Sequence, residues 1–170
     1  MVTKKMEEAM NNQINEEMFS AYLYQSMSAF CETKNMEGFA NWTAIQAKEE
    51  MSHAMKIYRF VLEKGGNINL QAIKAPKVEW ESMAKMSEEI LGHERHITKC
   101  IDDLLEVARE EKDNATQNML QWFVDEQVEE ESNADAIVQK LKMIGEFGAG
   151  LFMLDNELKQ RVFVDSTQNK

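Results

Sequence analysis

The stretch Gln46–His53, QAKEEMSH, decides the fold. It lies inside a long segment in which apolar and small residues recur every three or four positions, the spacing of one face of an α-helix. Glu50 and His53 fall on that face, where a core-facing helix is normally apolar. Their separation of three residues places both side chains on the same side of a helix. The fold must therefore bring compensating groups to this point from neighbouring segments.

Three further segments have the same helical periodicity and nearly the same length. The first and second helices, and the third and fourth, are joined by very short connections, so each pair must form an antiparallel hairpin. We expect Asn35 and Asp113 to cap the helices that follow these connections. The predicted helices lie at about 5–33, 36–64, 83–112, 114–144 and, for a short fifth helix after glycines 145, 148 and 150, 151–161.

The connection between the second and third helices, residues 67–82, contains Pro76, the only proline of the chain. Extended, it reaches about 50 Å, enough to run the length of the bundle and make these helices parallel. The sequence therefore predicts an all-α four-helix bundle with one long crossover, the ferritin-like arrangement. One domain of this kind is expected over residues 1–170, with a loose polar tail from Val164.

Polar residues interrupt the apolar stripe of every helix near its middle. Because the interruptions are central, they meet at one level whichever way the helices run. The pattern also repeats, since a step of 77 residues converts Glu17, Glu49, Glu50 and His53 into Glu94, Glu126, Gln127 and Glu130. We call the central group the polar layer, and its members are Glu17, Glu50, His53, Glu94, Gln127 and Glu130.

Four buried carboxylates need counterions, because each ionised group costs several kcal/mol to remove from water. The stripes contain no lysine or arginine that could pair with them. Two divalent cations would balance the four charges. Oxygen ligands with a single imidazole favour iron or manganese over structural zinc. Glu50, at the centre, is the best candidate to bridge two ions.

Several neighbouring residues allow two interpretations. Tyr24 follows Glu17 by two turns on the same stripe, and it either hydrogen-bonds a ligand and supplies an electron or is an ordinary core tyrosine. Glu49, Glu126 and Glu129 either hold a third ion with Glu130 or form a solvated acidic face. We expect the remaining side chains of note to pack or to lie on the surface: Trp122 packing, Cys31 and Cys100 as buried fillers, and His93 and His96 at the surface.

Composition excludes other classes of protein. The net charge of −11 argues against a nucleic-acid binder, which would present a basic face. No apolar run approaches membrane-spanning length. Two cysteines without a CxxC motif, and no signal-like stretch, indicate a reducing cytoplasm.

The chain resembles the bacterial non-haem ferritins over essentially its whole length. The resemblance rests on NEEMFSAYLYQSMSAF (15–30), QAKEEMSH (46–53), GHERHIT (92–98) and LQWFVDEQVEEE (120–131). It implies a ferroxidase that oxidises Fe(II) with O2 or H2O2 and stores ferric oxyhydroxide in a 24-subunit hollow shell. The implied ligands are Glu17, Glu50 and His53 for the first iron; Glu50, Glu94 and Glu130, with Gln127 adjacent, for the second; and Glu49, Glu126, Glu129 and Glu130 for a third.

A haem-binding relative is disfavoured. Bacterioferritins repeat Glu-x-x-His in the second half and bind haem through a methionine. Gln127 and Glu130 break that repeat, although Met51 occupies the position of the methionine.

Two other interpretations stay open. A di-iron oxidase or peroxidase that does not store iron is the main alternative. A structural bundle whose polar layer only sets packing register is the other. Wide apolar faces favour a homo-oligomer: Phe19, Leu23, Met27, Phe30, Trp42, Ile45, Tyr58, Leu151, Leu154 and Leu158.

Overall fold

The computed structural model describes residues 2–145 and 148–168. Within these residues the chain forms five α-helices followed by a short 3-10 turn, and the four long helices form a bundle, which confirms the predicted fold class. The 28 residues of α3 extend about 42 Å. The elements are α1 Lys4–Thr33, α2 Glu37–Glu63, α3 Met83–Glu110, α4 Asn114–Ile144, α5 Gly148–Leu158 and the 3-10 turn Ser166–Gln168.

The crossover between α2 and α3 runs along α1 from end to end. Near its start, the side chain of Asn11 donates to the carbonyl oxygen of Asn67 at 2.9 Å. Near its end, Ser26 donates to the carbonyl oxygen of Lys77 at 2.7 Å, and the Trp80 ring packs edge-on against an α1 phenylalanine. The crossover therefore returns the chain to the C-terminal end of α1, and α3 runs parallel to α2, as predicted.

The core is divided into two apolar clusters. One contains Tyr24, Phe39 and Trp42 and extends to the start of α3, while the other contains Ile14, Ile57 and residues of the middle of α3 and start of α4. The polar layer separates them, because buried carboxylates exclude apolar neighbours from the middle of the bundle. Among the described residues, no helix is both long and apolar enough to cross a membrane.

The two short connections differ from each other in how the next helix is capped. Asp113 caps α4 as predicted, accepting from the Thr116 amide at 3.1 Å. Asn35, however, is not a cap. It has a positive φ of 56° and precedes Met36, which is the N-cap residue of α2 and makes no side-chain capping hydrogen bond. The carboxylate of Asp155 on α5 takes this role instead, accepting from the amides of residues 38 and 39 at 2.9 and 3.0 Å.

The fifth helix spans 148–158 and not the predicted 151–161. Gly145, with φ 59°, ends α4, whereas Gly148 and Gly150 lie inside α5. A Cβ at Gly150 would lie 2.8 Å from the Ile144 side chain, so the absence of a side chain lets α5 fold back on α4. At the other end, the Asn41 amide donates to carbonyl oxygens after the last turn, including that of Arg161 at 3.0 Å, and the chain leaves the helix there.

Candidate metal centre

The six residues of the polar layer come from all four long helices. Glu17 lies on α1, Glu50 and His53 on α2, Glu94 on α3, and the remaining two on α4. None is more than 4% exposed, so the layer is inside the bundle as the stripes predicted. The exposed fractions are 0% for Glu17, 1% for Glu50, His53 and Glu94, 3% for Gln127 and 4% for Glu130.

His53 lies between two groups of carboxylates. Its Nδ1 is 3.5 Å from Glu50 Oε2, and potential ligand atoms of Glu17, Glu50 and His53 all lie within 4.8 Å of one another. Its Nε2 is 3.8 Å from Glu126 Oε1, in a second such group that also contains Glu130. The imidazole therefore faces metal-ligating oxygens on both sides.

Glu94 joins neither group, and both of its carboxylate oxygens accept hydrogen bonds. One accepts a hydrogen bond from the Tyr24 hydroxyl, and the other accepts from Gln127 Nε2 at 3.3 Å. Gln127 also donates to the Glu94 carbonyl oxygen at 3.2 Å. The structure thus places Gln127 next to Glu94.

Unpartnered polar atoms in the layer show whether a cation fits there. Among the described residues, Glu17 Oε2, Glu50 Oε1 and both ring nitrogens of His53 are buried and have no hydrogen-bond partner. An orphaned buried polar atom costs about 1–3 kcal/mol. A cation bound by Glu17 Oε2, Glu50 Oε1 and one ring nitrogen of His53 would satisfy three of these atoms, and oxygen and imidazole are ligands that iron accepts. The residues therefore fit bound iron.

Burial opposes ionisation of the carboxyl groups in the polar layer. Burial raises the pKa of Glu17 and Glu94 above the ordinary value, and that of Glu50 well above it. Burial, followed by the charge of Glu94, raises the pKa of Glu130 to about 8. For His53, burial lowers the pKa, but the neighbouring carboxylates of Glu126 and Glu50 outweigh burial and the net shift is well upward. Without cations the layer retains protons, which bound metal would displace.

Two glutamines orient the carboxylates from the side away from the unpartnered atoms. Gln13 Nε2 donates to Glu17 Oε1 at 2.9 Å, and Gln46 Nε2 donates to Glu130 Oε2 at 2.9 Å. The sequence analysis did not single out Gln13. Its spacing of four residues before Glu17, which places both on one helix face, is the signal that would have identified it.

Tyr24 is both a core residue and a hydrogen-bond donor to the layer. It is fully buried, and its hydroxyl donates to Glu94. Its ring packs edge-on against Trp42, with centroids 6.4 Å apart. Burial and the neighbouring carboxylates raise its pKa well above the ordinary value, so the hydroxyl keeps its proton. Trp122 packs, as predicted, with its ring edge-on to His53 at 5.4 Å.

The outer acids are not equivalent. Glu126 joins His53 and Glu130, whereas Glu129 is exposed and belongs to neither group. Glu49 is half-buried, and Arg161 Nη2 lies 2.5 Å from one of its oxygens.

The C-terminal tail contacts the outer acids, which the sequence did not predict. Arg161 stacks over the Trp42 ring at 4.7 Å. Ser166 donates to Glu126 Oε1 at 2.9 Å, and the 3-10 turn packs against α2. The tail expected to be loose from Val164 is therefore held against the outer acids over its described residues. No helical periodicity marks these contacts, because they join residues 40–119 positions apart.

Two predictions about α3 were wrong. His93 is half-buried and not on the surface: its Nε2 lies 2.8 Å from Ser20 Oγ, and burial lowers its pKa to about 4. Cys100 is only partly buried and lies beside the exposed His96, because position 100 faces the edge of the α1–α3 contact and not the bundle axis. Burial raises its pKa to about 11, so it is a thiol. Cys31 is fully buried, as predicted.

Comparison with known proteins agrees with this architecture. The Ferritin-like domain family matches residues 7–144. A protein of Staphylococcus aureus named bacterial non-heme ferritin is 39% identical to this chain, over 96% of this chain and 98% of its own length. A protein of the same name from Bacteroides fragilis is 41% identical, over 95% of this chain and 100% of its own length. An open pore ferritin from the archaeon Archaeoglobus fulgidus superposes with a TM-score of 0.94 at 48% identity, covering 95% of this chain and 99% of that one. An engineered closed form of the same ferritin gives 0.95 at 48% identity, covering 96% and 100%.

A four-helix bundle with a buried layer of carboxylates and one imidazole, matched by this family over most of its length, identifies the chain as a member of the ferritin family.

Proposed function

We propose that this protein oxidises Fe(II) within each subunit and stores the ferric product inside a hollow shell made of copies of the chain. The observation that carries the proposal is the set of four unpartnered ligand atoms on Glu17, Glu50 and His53, buried between two apolar clusters. The relatives named non-heme ferritin support it.

The first iron is held by Glu17, Glu50 and His53, whose ligand atoms already lie within 4.8 Å of one another. The second is held by Glu50, Glu94 and Glu130, with Glu50 as the bridge. Glu94 can turn an oxygen toward this ion while Tyr24 and Gln127 continue to orient its carboxylate. This assignment follows the family resemblance together with the shared burial of the ligands.

The two Fe(II) ions, as substrates, each lose one electron. Both electrons pass to O2, which takes up two protons and becomes H2O2; when H2O2 is the oxidant, it takes two electrons and two protons and becomes two molecules of water. The Fe(III) ions then hydrolyse to oxyhydroxide and release protons. Tyr24 keeps its proton at neutral pH and holds Glu94; when it supplies a further electron to the oxidant, the hydroxyl proton passes to the hydrogen-bonded Glu94 carboxylate.

A third iron is proposed on the outer side of the layer, at Glu49, Glu126, Glu129 and Glu130. Arg161 and Ser166 engage two of these acids in the structure. Filling this site therefore requires the tail to release them, and Glu129 to turn inward from its exposed position.

The proposed assembly is a shell of 24 subunits. Large apolar side chains remain exposed on α5 and just after it, including Phe152 at 69%, Met153 at 72% and Val162 at 74%. Neighbouring subunits would cover them. Met51 is 42% exposed, but the second half lacks the Glu-x-x-His repeat of haem-binding relatives, so a shell without haem is proposed. The two unpaired thiols suit a reducing cytoplasm.

The function is tested by adding Fe(II) in air to the metal-free protein and following oxidation by stopped-flow absorbance. We expect a fast phase and a ferric product that stays with the protein. Glu50→Ala and His53→Ala should each slow the fast phase at least tenfold, whereas Glu106→Ala, an exposed glutamate of α3, should not. Precipitation at the uncatalysed rate would reject the proposal.

Electron microscopy of the same samples separates the remaining interpretations. Dense-cored hollow particles are expected. Fast oxidation by a dimer would favour an oxidase or peroxidase that does not store iron. Absence of stoichiometric metal would favour the structural interpretation of the polar layer, and so would collapse of the particle in the His53→Ala variant.

A further inference from the structure

A second group of metal-ligating side chains lies outside the polar layer, along the contact between α1 and α3. It consists of Glu16 from α1 and His96 and Cys100 from α3. Potential ligand atoms of the three residues all lie within 4.8 Å of one another. His96 Nε2 is 3.2 Å from Glu16 Oε2 and 3.6 Å from Cys100 Sγ.

These separations match those of ligands around one small cation. Zinc–ligand bonds of 2.0–2.3 Å in a tetrahedron place neighbouring ligand atoms about 3.3–3.8 Å apart. The observed 3.6 Å lies in that range and the observed 3.2 Å lies just below it, before any side chain moves. The spacing of four residues between His96 and Cys100 places them on one face of α3, so only Glu16 must be supplied by another helix.

The group is separate from the polar layer. Successive residues of a helix point in different directions, so Glu16 does not share the inward face of Glu17. The Glu16 side chain is 38% exposed, whereas Glu17 is fully buried. His96 is likewise 54% exposed, two residues beyond the buried Glu94. A cation can therefore reach this group from solvent without passing through the bundle.

We propose that Glu16, His96 and Cys100 form a second cation site that binds a thiophilic divalent ion such as Zn²⁺. The ligand set differs from the polar layer in containing sulfur, and a thiolate, an imidazole and a carboxylate together are typical of zinc. Binding converts the Cys100 thiol to thiolate and releases one proton to solvent. His93, whose Nε2 is engaged by Ser20, does not complete the site, so water takes the fourth position.

Cobalt is the probe that distinguishes this site from the polar layer. Co²⁺ substitutes for zinc, and a thiolate ligand gives it an intense near-ultraviolet charge-transfer band that carboxylate and imidazole ligands do not. Anaerobic titration of the metal-free protein with Co²⁺ should produce this band and saturate it at about one ion per subunit. Absence of the band at saturating Co²⁺ would overturn the proposal.

The chain offers a matched control, because it has one other thiol, the buried Cys31. The band should disappear in Cys100→Ser and persist in Cys31→Ala. His96→Ala should weaken cobalt binding at least tenfold as read from the band. Survival of the band in Cys100→Ser would contradict the assignment.

The site does not depend on the proposed function. In His53→Ala, where the first iron site is damaged, the cobalt–thiolate band should keep its amplitude. Loss of the band in that variant, with the particle intact, would mean that the thiolate signal belongs to the polar layer and would refute a separate site.

Discussion

Replacing Glu130 with glutamine removes one ionisable carboxyl group from the polar layer while keeping the shape of the side chain. Glu130 is 4% exposed and accepts a hydrogen bond from Gln46 at 2.9 Å. The amide oxygen of glutamine can accept the same bond. The substitution therefore isolates the cost of the buried carboxylate from the cost of a lost contact.

The pKa of Glu130 gives the size and sign of the effect. Burial raises it from the ordinary 4.5 to about 8. A carboxyl group with a raised pKa is protonated more readily in the folded state, so folding stability is lost as pH rises from 4.5 toward 8. The raised pKa lowers the free energy of unfolding by about 3 kcal/mol at pH 7, and by less than about 1 kcal/mol at pH 5.

Unfolding of the metal-free protein measures this penalty. Glu130→Gln should be more stable than the natural chain by about 2–3 kcal/mol at pH 7, a rise in Tm of roughly 4–12 °C, with little difference at pH 5. Both proteins must be compared at equal subunit concentration, because assembly contributes to stability. Glu129→Gln, which removes an exposed charge one position earlier, is the control and should change Tm little.

Adding Fe(II) without oxygen should reverse the order. The natural chain gains stability from bound metal, about 2.7 kcal/mol per site at a metal concentration a hundred times Kd. Glu130→Gln has lost one ligand and should gain less. A variant that is no more stable than the natural chain at pH 7, or equally stabilised at both pH values, would refute the reasoning.

Four further substitutions test other contacts. Gly38→Ala should cost roughly 1–3 kcal/mol, because its Cβ would lie 1.7 Å from a backbone oxygen of α5, whereas Gly92→Ala, with nothing within 4 Å, should gain roughly 0.5–1 kcal/mol; equal Tm shifts would contradict this. Arg161→Ala should release Glu49 and strengthen binding of a third Fe(II) about fivefold, equivalent to ~1 kcal/mol, in anaerobic calorimetry; unchanged affinity would argue against the tail as a competitor. Tyr24→Phe, which removes the donor to a carboxylate of the layer, should slow stopped-flow Fe(II) oxidation at least threefold, and an unchanged rate would leave Tyr24 a core residue only.

Much of the fold followed from the sequence because its signals are local. The stripes of the four helices repeat every three or four residues, and the short connections force antiparallel pairs. The length of the 67–82 connection then fixed the direction of α3. The same periodicity placed Glu17, Glu50 and His53 on inward faces, where the structure has them.

The errors concern contacts between distant segments. Nothing near Asn35 indicates that Asp155 caps α2 from α5, 116–117 residues away. The glycines at 148 and 150 resemble a helix stop, yet both lie inside α5, and close packing on α4 requires the small size of Gly150. Periodicity also could not detect Arg161 beside Glu49, because Arg161 lies outside any helix.

Anomalous diffraction at the iron edge, from crystals equilibrated with Fe(II) without oxygen, tests the central claim most directly. We predict two peaks inside each subunit, one bounded by Glu17, Glu50 and His53 and the other by Glu50, Glu94 and Glu130. Iron found only on the surface of the bundle, with no anomalous peak inside the polar layer, would contradict it.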